Sequence, residues 1–109
     1  MGIAAAQLRL IYLTLHKTDL EYKIMLISQT RMGLSNSVND ILNVGTDLNP
    51  DSPEFKILEQ RKQRLQLIDK KLENQLTQYQ SKLNMVSTEI ESVQQMLNNN
   101  IKRAFSYGQ

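Results

Sequence analysis

A chain of 109 residues with neither cysteine nor tryptophan carries 13 basic and 11 acidic side chains, for a net charge of +2. That length supports one domain, and the missing thiols exclude a disulfide framework or a thiolate metal site. The near-balanced charge leaves too little excess for a nucleic-acid footprint of several phosphate contacts.

The N-terminal run from Ile3 to Leu15 is apolar enough to resemble a leader, but it lacks a basic n-region and carries Arg9 in its middle. No uninterrupted apolar run reaches the length of a membrane span, so no transmembrane segment is expected. The chain is therefore expected in the cytoplasm, or exported by a route that cleaves no signal peptide. Met1-Gly2 does not complete a myristoylation motif, because Ala6 stands where that motif wants Ser or Thr.

A first helix is predicted over about 3–44. Ile3, Ala6, Leu10, Leu13, Leu20, Ile24, Ile27, Leu34, Val38, Ile41 and Leu48 recur at alternating intervals of three and four, interrupted only by Lys17, Arg31 and Gly45. This is the seam of a coiled coil rather than the alternation of a strand. Leu8, Ile11, Tyr12, Leu15, Tyr22, Met25 and Leu26 lie off those positions, so the helix is apolar around much of its circumference between residues 3 and 27. A helix apolar over so wide an arc is buried on more than one side. Those seven residues are the candidate surface for contact with neighbouring subunits.

A turn is predicted over 45–52, where Gly45 ends the first helix and Asn49-Pro50 forces extended or turn geometry. Ser52, Pro53 and Glu54 read as an N-cap, a proline at the first helical position and a first-turn acid favoured by the helix dipole. The second helix then runs over about 53–104, with a short tail at 105–109. Its seam is Phe55, Leu58, Leu65, Leu72, Leu76, Tyr79, Leu83, Val86, Ile90, Val93, Leu97 and Ala104, with Lys62, Asp69 and Asn100 as polar exceptions. Outside that seam the second helix reads as polar. Two helices of about 42 and 52 residues would run about 63 and 78 Å, well beyond the three or four turns usual in a globular domain. The expected fold is all-α, one long antiparallel helical hairpin of coiled-coil type that self-associates.

Catalytic chemistry has no foothold. His16 is the only histidine, which rules out a multi-histidine metal site, and it reads as a packed or solvated structural histidine rather than a ligand. The four glycines stand singly and form no phosphate loop. The basic cluster Lys56, Arg61, Lys62, Arg64, Lys70 and Lys71 is interleaved with Glu54, Glu59, Asp69 and Glu73, the pattern of a solvated helix face. No enzymatic activity, cofactor, metal or nucleic-acid partner is expected.

The order of helix, Asn49-Pro50-Asp51-Ser52-Pro53 turn and second helix, with Tyr79-Gln80-Ser81-Lys82-Leu83 and Ile101-Lys102-Arg103-Ala104-Phe105, resembles the needle subunits of bacterial type III secretion systems. The resemblance covers mainly the turn and the second helix. It implies a subunit exported without a cleaved leader that polymerises helically around a conduit, with other secretion-apparatus proteins as further partners. The WXG-type export proteins are similar in length and two-helix layout. This chain has Asn43-Val44-Gly45 where that family places Trp-x-Gly, so their signature is missing. A third expectation is a coiled-coil adaptor or export chaperone that holds a client helix against the apolar face of the first helix.

Overall fold

The computed structural model describes residues 2–107, with the side chain of Tyr107 left out. Two helices make up almost all of it: α1, Ile3–Gly45, and α2, Pro53–Tyr107. The contacts divide the chain into two units, each built from both helices. The first comprises Met1–Lys23 with Tyr79–Gln109, and the second Ile24–Gln78.

In the first unit the seam closes over an apolar core of Ala6, Leu13, Leu20, Val86 and Val93, with Leu10, Tyr79, Leu83, Ile90 and Leu97 packed around it. Spacings of three and four bring these residues to one side of each helix, where burial removes their surface from water at about 25 cal/mol per Å². The helices are antiparallel here, since Arg9 reaches Glu89 at 2.7 Å while Lys23 lies over the ring of Tyr79 at 5.7 Å. Lys82 also lies over the Tyr79 ring at 5.8 Å, so two cations stand within cation–π reach of it. Ala104 is exposed although it continues the three-and-four spacing.

The second unit has a weaker seam. Ile27 is its one buried residue, and Ile24, Leu34, Val38, Ile41, Phe55, Leu58, Leu65, Leu72 and Leu76 are half-buried. Polar side chains occupy seam positions among them. Arg31 forms a forked pair with Asp69, Nε to Oδ1 at 2.9 Å and Nη2 to Oδ2 at 3.3 Å, and Lys62 meets Glu59 at 3.1 Å.

The turn obeys its local chemistry. The Asn49 side-chain oxygen accepts from the Asp51 amide at 3.1 Å, and its carbonyl accepts from both the amide and the hydroxyl of Ser52. The Ser52 hydroxyl oxygen accepts in turn from the Phe55 amide at 3.2 Å, which satisfies a donor that the first turn of α2 would leave unpaired. Gly45 is the last residue of α1, yet no glycine among the described residues has a positive φ. The helix ends instead by tightening, with amides of Asp47 and Leu48 bonded to the carbonyls of Val44 and Gly45.

α2 continues to Tyr107, past the end expected near residue 104. Ala104, Phe105 and Ser106 contain no glycine or proline to stop it. The remainder of the expected tail, Gly108 and Gln109, lies outside the described residues.

Gly33 sits inside α1 with nothing within 4 Å of where a Cβ would stand. Gly33→Ala is therefore expected to stabilise the fold by about 0.5–1 kcal/mol, because alanine gives up less backbone entropy in a helix. A thermal melt followed by circular dichroism should move upward by a few degrees.

Candidate interaction surfaces

Two antiparallel helices can cover only one side of each other, so whatever is apolar elsewhere stays in contact with water. In the first unit the uncovered residues are Leu8, Ile11, Tyr12, Leu15 and Tyr22 of α1. Leu8 is 69% exposed, Leu15 66% and Tyr22 55%. Leu8, Leu15 and Tyr22 recur every seven residues, so they form one stripe, with Ile11 and Tyr12 beside it. In the second unit Met25 and Leu26, the other two expected contact residues, are 46% and 41% exposed.

Polar groups frame the stripe. Arg9 lies over the Tyr12 ring at 5.5 Å while holding Glu89, and His16 stacks on Tyr12 with ring centres 6.2 Å apart. An open groove of about 280 Å³ runs along these residues and is completed by Lys82 and the exposed Met85 of α2. His16 is half-buried at its wall. The sequence holds no thiol and no second imidazole. Among the described residues no group of three or more His, Cys, Asp or Glu side chains could hold a metal ion.

The second unit has a larger open groove of about 400 Å³, bordered by Arg31, Met32, Leu34, Val38, Leu65 and Asp69. The fork to Asp69 raises the pKa of Arg31 and lowers that of Asp69, first through the hydrogen bond and then through the opposite charge. Arg31 also lies 3.9 Å from Glu73, which meets Lys70 at 3.6 Å.

Several exposed apolar residues of α2 were not anticipated from the sequence, where that helix reads as polar outside its seam. Ile57, Leu67, Ile68, Met85, Met96 and Phe105 are all exposed. Their signal was available, since each is a large apolar residue off the seam positions. They are scattered singly or in pairs rather than in a stripe, which is why periodicity passes over them.

Among the described residues no helix is long and apolar enough to cross a membrane. No protein-family model matches the chain, and neither a curated protein nor a solved structure matches it.

Proposed function

We propose that this chain is a non-enzymatic, self-assembling structural subunit of an export-related bacterial assembly of needle or filament type. The observation that carries this reading is the exposed stripe of Leu8, Ile11, Tyr12, Leu15 and Tyr22 on α1. Contiguous apolar surface of this kind marks a place where protein packs on protein.

Area points the same way. The chain exposes 8211 Å², whereas the usual scaling for a folded monomer of 12.6 kDa gives about 6,200 Å². The difference, about 2,000 Å² per chain, falls in the range that each partner of an obligate interface buries. The turn Asn49-Pro50-Asp51-Ser52-Pro53 and the long second helix support the needle-like form of the assembly through their resemblance to that family.

A second reading, an adaptor or export chaperone for a client helix, is favoured by the open groove of the second unit. One double variant separates the two. Leu15→Lys with Tyr22→Glu changes two side chains that face water in the first unit, so the monomer should keep its helicity. Removing both apolar contacts should weaken an intersubunit interface by on the order of a hundredfold or more. A subunit that polymerises then becomes a smaller helical species in multi-angle light scattering over a concentration series. An adaptor keeps its mass, and keeps a client held in the second-unit groove, which the two changes do not touch; a wild type already monomeric at every concentration would overturn the subunit reading.

A further inference from the structure

Charge along the chain is segregated in a way that the net value of +2 conceals. Between Arg31 and Lys56 lie Asp40, Asp47, Asp51 and Glu54 and not one basic residue. All four are exposed, and none is in a salt bridge among the described residues. They surround the turn of the second unit.

The termini have the opposite character. After Glu91 the only Asp, Glu, Lys or Arg side chains are Lys102 and Arg103, and before Asp19 the only ones are Arg9 and Lys17. Lys102 and Arg103 are exposed and make no ion pair among the described residues. Beside them in the first unit is an open apolar groove of about 290 Å³ formed by Ile3, Ile101, Ala104 and Phe105, in which Phe105 is 70% exposed. The helix ends that flank the turn carry apolar surface of their own in Leu42, Val44 and Ile57.

We propose that the acidic turn of one chain docks on the basic, apolar terminal end of a second copy, so that copies join head to tail. The occupant is a second copy because this chain itself supplies both complementary surfaces. Opposite fields steer encounter and fix register, and like ends repel. Where the turn of each copy meets the terminal end of a different copy, the contact is heterologous, and repetition extends the assembly as a ring or a filament. This inference rests on the self-assembly reading, to which it adds a contact made by the turn and the terminal segments and distinct from the α1 stripe.

The experiment uses two charge-reversed forms of the full chain, Lys102→Glu/Arg103→Glu and Asp40→Lys/Asp47→Lys/Asp51→Lys, with circular dichroism to check that each is folded. Alone and in low salt, each should need at least about tenfold more protein to assemble than wild type, because like charges now meet at the contact. Mixed in equal amounts they should assemble at wild-type concentrations, since the turn of each then meets an oppositely charged end of the other. Wild-type assembly should also weaken as salt is raised, because the Debye length falls from about 10 Å at 0.1 M to about 3 Å at 1 M. The neutral pair Lys102→Gln/Arg103→Gln should fall between wild type and the reversal, and serves if a reversed form does not fold. Assembly of either reversed form at the wild-type concentration, or failure of the mixture to recover, would overturn the head-to-tail contact while leaving self-assembly standing. A wild type that never assembles would overturn both.

Discussion

Leu20→Asp is expected to unfold the first unit at ordinary temperature. Leu20 is 1% exposed, in an apolar core with Ala6, Leu13, Val86 and Val93. A carboxylate there loses its hydration without gaining a partner, which costs several kcal/mol and drives the group towards its protonated form. Leu20→Ala should cost about 2–5 kcal/mol through lost burial and the cavity left behind. Ile90→Asp should act in the same direction but less strongly, because Ile90 is only half-buried. Leu15→Asp is the control, since Leu15 faces water in the monomer. Thermal melts of dilute protein read all four. An unchanged melting curve for Leu20→Asp would show that the two helices pair in another register.

Replacing both members of the Arg31–Asp69 pair by leucine is expected to raise the melting temperature, whereas Asp69→Leu alone should lower it. The two side chains stand at seam positions and are 30% and 38% exposed. A charged pair so placed gives up part of its hydration to meet, and apolar side chains filling the same seam would not. Removing Asp69 leaves Arg31 partly desolvated with only its longer contact to Glu73 at 3.9 Å. The native pair then acts chiefly on specificity, because it is satisfied only when residue 31 faces residue 69, much as a polar residue in a coiled-coil seam specifies register.

Its pH dependence has a definite sign. The folded pKa of Asp69 is lowered, mainly by the hydrogen bond from Arg31. The pair's contribution is therefore fully present above the unfolded carboxylate value of about 3.9, and is lost as pH falls through the lower folded value. Lys23 behaves conversely, since Asp19 raises its pKa through a hydrogen bond and its charge. That contribution is present below the unfolded lysine value of about 10.4 and disappears only as pH rises through the higher folded one. The difference in melting temperature between wild type and Asp69→Asn should be constant from neutral pH down to about pH 4 and shrink below it. A difference that persists unchanged at pH 2 would show that the Asp69 charge contributes nothing.

Much of the local structure is legible from neighbouring residues alone. Proline and serine at Pro53 and Ser52 define the start of α2, because one cannot donate a backbone hydrogen bond and the other supplies the missing acceptor. Gly45 is a less faithful sign. It stands at the end of α1 with an ordinary helical φ, so its position, rather than its left-handed freedom, is what the fold uses. The far end of α2 carried no stop signal before Gly108, and the helix passes through Phe105 to Tyr107.

The sequence by itself determined that there are two helices, where they turn, and which side of each is apolar, because periodicity, caps and breakers act within a few residues of one another. Tertiary structure alone decided what meets what. Arg9 and Glu89 are 80 residues apart, and Arg31 and Asp69 are 38 apart. Pairings over such separations depend on the register in which two whole helices settle, a sum over every seam contact. The contrast between the dry core at Leu20 and the half-open seam at Arg31, by comparison, is legible in the sequence, where Arg31, Lys62 and Asp69 interrupt the apolar spacing towards the turn. The exposure of Leu8, Leu15 and Tyr22 was undecided until the number of covering elements was known. A wide apolar arc asks for burial on more than one side, and a partner helix covers only one.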